Sequence, residues 1–190
     1  MPIKMTPSRA QVLNAQLTTP RLSIEPVTAN HAASLFEPMQ EEAIYQWISA
    51  KPPKSMELLS QRWGQLVSRL SPNGDEAWLA WAVRRSREGA YVGKLDANVD
   101  STDIATNVGF FFFPAFWGEG YASEAVTAMT DHLASHGISK MVATVTLGNA
   151  ASNRVLEKAG FTQTRILPQN DTIRGVKYDD IEYVRVPKIK

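Results

Sequence analysis

The sequence predicts an α+β fold in which helices pack on a central mixed β-sheet. Three observations carry that expectation. Apolar, strand-like runs come first, at residues 77–83 (AWLAWAV), 91–99 (YVGKLDANV) and 107–113 (NVGFFFF), with no helical stretch between them. From 107 onward the pattern alternates as strand, helix, strand, helix, strand. The chain has 190 residues, 44% of them hydrophobic, enough for one sizeable core and too few for two full domains.

Each element follows in order. Residues 1–16 read as an irregular N-terminal arm, and 17–190 as a single domain. RLSIEPV (21–27) alternates Leu22, Ile24 and Pro26 against polar neighbours, as a half-buried strand does. TANHAASLFEPM reads as a short helix with Thr28 or Asn30 near its N-cap. Residues 55–70 carry Met56, Leu59, Trp63, Leu66, Val67 and Leu70 at helical spacing behind Ser55 as N-cap, which marks them as core positions. Runs 77–83 and 91–99, joined by a charged turn, form an antiparallel pair. Run 107–113 is so apolar that both its faces are expected to be covered. A helix over 121–136 presents Ala122, Ala125, Val126, Met129 and Leu133 and stops at Gly137. MVATVTL (141–147) is a buried strand, ASNRVLEKA a helix ended by Gly160, and FTQTRI and IEYVRV are closing strands.

Composition narrows the function. The net charge is +1 with no sustained basic stripe, so nucleic acid and acidic membrane surfaces are not expected partners. Arg84, Arg85 and Arg87, broken by Glu88, read as a solvated hairpin loop. The absence of cysteine excludes disulfides, thiolate nucleophiles and cysteine zinc sites. His132 and His136 are spaced i, i+4 but lack a third ligand, so no metal is expected. There is no apolar segment long enough to span a bilayer, and a cytoplasmic protein is expected. Of the five tryptophans, Trp63, Trp78 and Trp81 fit core positions, while Trp47 is a candidate for lining the site of an acceptor substrate.

The stretch PAFWGEGYASEA (114–125) carries the first functional signal. Gly118 and Gly120 flank one residue at a turn from strand to helix. Backbone N–H groups at a helix start lack intrahelical partners and sit at the positive end of its dipole. Glycines let such a backbone close around an anion. The loop lacks the Gly-Lys-Ser/Thr of a P-loop and the third glycine of a GxGxxG turn, and holds no basic residue. Its amides therefore suit a pyrophosphate or phosphate diester; a purely structural turn is the alternative. Downstream, NAASNRVLEKAGF places Asn149 and Ser152 where a buried strand meets a helix.

Together these residues resemble the GNAT superfamily of acetyl-CoA-dependent N-acetyltransferases. WGEGYA (117–122) is similar to its Q/R-x-x-G-x-G/A pyrophosphate loop, with Trp117 in place of the usual Gln or Arg. Trp117, Pro114, the opening TTPRLSIEPVT, and NAASNRVLEKAGF followed by DDIEYVRV resemble the RimJ/RimL-type branch. The resemblance implies helices on both faces of a mostly antiparallel sheet, with a splayed parallel strand pair holding acetyl-CoA. It implies cofactor contacts from Phe111, Phe112, Phe113, Trp117, Gly118, Glu119, Gly120, Tyr121, Ala122, Asn149 and Ser152, and an oxyanion donor among the amides near Phe111 or Phe112. The family's acid, a tyrosine seven residues after Asn149, is replaced by Leu156, so Ser152 and Asn149 are the catalytic candidates; helix capping is the alternative for both. The glutamate often found as base is Asn107 here, with Asp96, Asp100 and Glu119 as substitutes; the alternatives are that these are plain exposed carboxylates and that a water chain or an amine of low pKa does without a base. Arg154 and Lys158 read as solvated helix charges, with the 3′-phosphate as the alternative. The expected reaction is direct attack on acetyl-CoA, in a ternary complex, by a primary amine on a peptide N-terminus or a small molecule. A catalytically silent acyl-CoA-binding module is the competing reading, and a homodimer through exposed edge strands is a further expectation.

Overall fold

The computed structural model describes residues 4–187. Eight strands form one sheet: β1 (Leu17–Thr18), β2 (Leu22–Pro26), β3 (Glu76–Arg85), β4 (Tyr91–Asp100), β5 (Ile104–Phe112), β6 (Lys140–Thr146), β7 (Thr162–Ile173) and β8 (Val176–Arg185). Their spatial order is β1-β2-β3-β4-β5-β6-β8-β7. Every neighbouring pair is antiparallel except β5 and β6. The mixed α/β fold expected from the sequence is present.

Five helices cover the two faces: α1 (Pro7–Leu13), α2 (Ala32–Leu35), α3 (Met56–Gly64), α4 (Tyr121–Ser135) and α5 (Ala150–Lys158). The larger core joins α1, α4 and α5 to the sheet through Leu13, Leu22, Trp81, Leu95, Met129, Leu133 and Leu156. The smaller one packs α2 and α3 on the other face through Leu35, Leu59, Trp63, Ala80, Ala82 and Phe113. Burying a side chain such as Leu or Met contributes about 1.5–3 kcal/mol, so the stripe Val126, Met129 and Leu133 is enough to fix α4 on the sheet.

Several expectations are corrected. Within the stretch read as an irregular N-terminal arm, residues 7–13 form helix α1: Thr6 caps it by accepting from the Arg9 N–H at 3.2 Å, and Ala10, Leu13 and Asn14 are buried. Asn14 donates to the Ala80 carbonyl at 3.2 Å, tying α1 to the centre of β3. The helix predicted over 55–70 is capped by Ser55 as expected but ends at Gly64 and continues only as a 3-10 turn. Arg69 leaves that turn in the left-handed region, φ 56°, to give its buried guanidinium to the Val27 carbonyl. Val67, read as core, lies in that turn and is exposed; Met56, also read as core, is exposed at the first position of α3. Trp78 is only half-buried, its indole donating to Glu76. Arg84 and Arg85 lie in β3 rather than in the hairpin loop, and Arg84 pairs with Glu25 of the neighbouring strand at 2.6 Å.

The splayed parallel pair that the family resemblance implies is present: β5 pairs with β6 only at Ile104↔Lys140 and Ala105↔Met141 and then diverges. One edge of residues 106–112 is left without a strand partner, so Phe110 and Phe111 are only partly covered.

Candidate active site

The divergence of β5 from β6 opens a cleft of about 390 Å³ at the end of the sheet, between the N-termini of α4 and α5 and the segment 43–48. The Phe113 N–H bonds across to the Val92 carbonyl at 2.9 Å. Antiparallel ladders alternate, so the N–H groups of Phe110 and Phe112 point away from β4 and into the gap. Of Phe111 and Phe112, the two positions named for an oxyanion donor, only Phe112 turns its N–H toward the gap. The Phe112 carbonyl, aimed the same way, accepts from the Trp117 indole N–H at 2.7 Å.

Beyond Phe113 the chain makes a 3-10 turn at Pro114–Phe116 and reaches the two glycines. Both adopt left-handed backbone, φ +82° at Gly118 and +80° at Gly120, so each position favours glycine in its own right. Gly120 is the N-cap of α4 and offers no side chain, so the first-turn amides of α4 are left for a ligand. Gly118, Gly120, Tyr121, Ala122 and Ser123 all line the cleft.

Arg21 fixes this loop from outside. Its guanidinium donates to the Glu119 carbonyl at 2.9 Å and to Glu124 of α4 at 2.6 Å, and stacks 4.6 Å over the Tyr121 ring. Glu124 also accepts from the Thr19 hydroxyl at 2.6 Å. Burial alone would raise the Glu124 carboxyl; the bonds from Thr19 and Arg21 outweigh it and hold it below its ordinary 4.5. A carboxyl held low stabilises the fold above its ordinary range and loses that contribution as pH falls through the folded value. The gap in thermal midpoint between the wild type and Glu124→Gln is accordingly expected to narrow as pH falls from about 6 to about 3.

Asn149 and Ser152 meet at the opposite wall. Asn149 caps α5, its Oδ1 accepting from the Ser152 N–H at 3.2 Å, so the capping alternative is realised for that oxygen. Its Nδ2 and the Ser152 hydroxyl make no hydrogen bond among the described residues, and both residues line the cleft. Leu156, where a tyrosine would stand, is fully buried in the larger core. Arg154 and Lys158, read as solvated, are the only cations lining this cleft among the described residues.

Two sequence candidates fall outside it. Phe113 is fully buried in the smaller core, and the Glu119 side chain is exposed beyond the cleft lining. Asp100 is spent on a turn, accepting from the Thr102 N–H at 2.8 Å and the Ile104 N–H at 3.1 Å. His132 and His136 serve helix packing, His132 lying 3.1 Å from the Val12 carbonyl of α1. No group of His, Cys, Asp and Glu among the described residues is arranged to hold a metal.

A second, larger cleft of about 1020 Å³ lies between α3 and the sheet. It is lined by Trp78, Ala80, Lys94, Asp96 and Asn98 on the sheet side and by Arg62, Gln65 and Asn73 opposite. The two clefts share Ile48, Phe110 and Phe111. Trp47, expected at the acceptor site, lines the first cleft and not the second, and packs on Gly148, where a Cβ would fall 3.3 Å from the indole ring. The sequence reading missed Ile48, because an aliphatic residue in a loop carries no chemical signal. It also missed Arg21 and Glu124, which are far apart in the chain.

A split strand edge with an amide cradle at its mouth and a second cleft across it is the architecture of an acyltransferase. Residues 21–162 match the family described as acetyltransferase (GNAT) domain, and the chain belongs to that family of N-acetyltransferases. It is 23% identical over 169 residues to the uncharacterized N-acetyltransferase YoaA of Bacillus subtilis, covering 88% of this chain and 94% of that one. Among solved structures it superposes on the ribosomal L7/L12 α-N-protein acetyltransferase RimL in complex with coenzyme A. That match has a TM-score of 0.80 and 20% identity, over 90% of this chain and 98% of that one. The ribosomal-protein-S5-alanine acetyltransferase of Vibrio fischeri gives 0.79 and 17%, over 90% and 96%. The Rim-type resemblance read from the sequence agrees with these neighbours. Nothing among them supports the silent acyl-CoA-binding alternative.

Proposed function

We propose that the protein transfers the acetyl group of acetyl-CoA to the N-terminal amine of a peptide, by direct attack in a ternary complex. The observation that carries this reading is the meeting of the two clefts at Ile48, Phe110 and Phe111 alone. Donor and acceptor then reach the free edge of β5 from separate entrances. The first cleft fits the donor: the left-handed glycines and first-turn α4 amides suit a pyrophosphate, and Arg154 and Lys158 suit a further phosphate. Acetyl-CoA, when bound, supplies the activated thioester carbonyl. The chain's part is to hold its pantetheine arm along Phe110–Phe112, to offer the Phe112 N–H to the carbonyl oxygen as it gathers charge, and to anchor an amide through Asn149 Nδ2. The Ser152 hydroxyl stands at the same wall to protonate the departing sulfur. The size of the second cleft and the ribosomal-protein substrates named for the two structural neighbours support a peptide acceptor.

Release of free thiol from acetyl-CoA across N-terminal peptides and small amines tests the reading. Turnover with peptides is expected; tight coenzyme A binding with no turnover on any acceptor sinks it. Ser152→Ala is expected to lower kcat by roughly 100-fold with the KM for acetyl-CoA little changed, and an unchanged kcat removes Ser152 from the mechanism. The proposal includes a homodimer through β7, the outermost strand of the sheet, which a monomeric sedimentation coefficient would overturn.

A further inference from the structure

An amine acceptor arrives largely as an ammonium ion, since an α-amino group has a pKa of about 8 and an alkylamine about 10. Something must take its proton before it can attack. The position at which the family often carries a glutamate is Asn107, which is exposed and cannot serve.

We propose that Asp96 is the general base of this enzyme, a reading that rests on the acetyltransfer function proposed above. Among the described residues lining the two clefts it is the only carboxylate, and no histidine lines either. The other ionisable groups there are unsuited. Lys51, Arg62 and Lys94 in the acceptor cleft, and Arg154 and Lys158 in the donor cleft, are cations. Of the two tyrosines, Tyr45 donates its hydroxyl to the Met39 carbonyl at 2.8 Å and burial pushes its pKa up, while Tyr121 stacks under the Arg21 guanidinium.

The placement of Asp96 is specific. It stands directly opposite Gly109 across the β4–β5 ladder, as Lys94 stands opposite Phe111, so all four share the face that forms the acceptor cleft. Lys94 donates to Oδ1. Oδ2 has no hydrogen-bond partner among the described residues and leans over the bare α-carbon of Gly109, where a Cβ would fall 2.3 Å from it. A glycine here is what lets the carboxylate lie against β5, two residues from Phe111 where the clefts join. Lys94 steadies one oxygen and leaves the other for the acceptor.

In the transfer the ammonium gives one proton to Asp96 Oδ2, which passes it to water. The neutral nitrogen forms its bond to the acetyl carbon as the carbon–sulfur bond breaks, and the second proton shed by nitrogen ends on the thiolate. The products are the N-acetyl amide, the coenzyme thiol and one proton.

The test pairs two acceptor types on the whole protein: a peptide or alkylamine that is protonated at pH 7, and an aromatic amine or hydrazide already neutral there. In Asp96→Asn, kcat/KM is expected to fall by about 100-fold or more for the first and to stay within about threefold of wild type for the second. Equal losses for both, or no loss for either, overturn the proposal, because a packing role does not sort acceptors by basicity. Coenzyme A affinity measured on the same preparations checks the fold, with Asp96→Ser as the second variant should Asp96→Asn fail that check. Failure of the function proposed above shows in the wild type, which would turn over no acceptor. Failure of the base assignment shows only in the variant's ratio between acceptors.

Discussion

Gly120→Val is expected to raise the KM for acetyl-CoA by about tenfold or more while leaving the fold intact. The reason is conformational rather than steric. A Cβ at position 120 would meet nothing closer than the Arg21 guanidinium at 3.5 Å, an ordinary contact with the end of a flexible side chain. The φ of +80° is the obstacle, because the left-handed region costs an L-residue roughly 1–2 kcal/mol and a β-branched one at the upper end. The valine relieves that cost by rotating out of the left-handed region, and the amides of Gly120, Tyr121 and Ala122 then cease to converge. About 1.4 kcal/mol of lost binding is a factor of ten. Titration calorimetry with coenzyme A reads the loss directly; an unchanged affinity means that the cradle does not hold the pyrophosphate. Gly120→Ala is expected to fall between the two.

The largest effect on stability is expected from Gly93→Ala. Here space decides. The added Cβ would stand 2.4 Å from the Phe111 carbonyl oxygen and 2.8 Å from the Phe112 ring, a backbone atom and a core side chain. Neither gives way without parting β4 from β5 at the middle of the sheet. Overpacking of this kind costs about 3 kcal/mol, which in a domain of this size corresponds to a fall in Tm of roughly 6–12 °C. Gly64→Ala, at the last turn of α3 with its nearest contact at 3.9 Å, serves as control and is expected to be neutral or slightly stabilising. Equal Tm values for the two variants would contradict the packing described for β4 and β5.

What the sequence revealed of this molecule divides along a physical line. The glycine cradle and the Asn149–Ser152 cap were legible because each is local: the residues that make it are neighbours in the chain. Strands β2 to β6 were legible because burial on one face leaves a period of two and burial on both leaves a continuous apolar run; β7 is exposed along most of its length, so its second half and the start of β8 carried no such pattern. Helix α1 escaped although Thr6 and Pro7 form a proper start, because it buries only Ala10 and Leu13 and so shows almost no amphipathic stripe. The early end of α3 escaped for a different reason. Arg69 is drawn into the left-handed region by the Val27 carbonyl, 42 residues away in the chain, which no local pattern encodes. The candidate bases show the same limit. Alternation put Asp96 and Asp100 on one face of β4, but only the fold shows that one meets a cleft and the other closes a turn.

The shared boundary at Ile48, Phe110 and Phe111 has a consequence for how the enzyme diversifies. The cleft proposed for the donor is built from a strand end and two helix starts. The cleft proposed for the acceptor takes one wall from β3, β4 and β5 and the other from α3, the 3-10 turn after it and the loop that follows. Under that assignment, substitutions in the second wall are expected to change what is acetylated without disturbing how the acetyl group is presented. The split sheet edge works as a partition wall, and the two specificities on either side of it are free to vary independently.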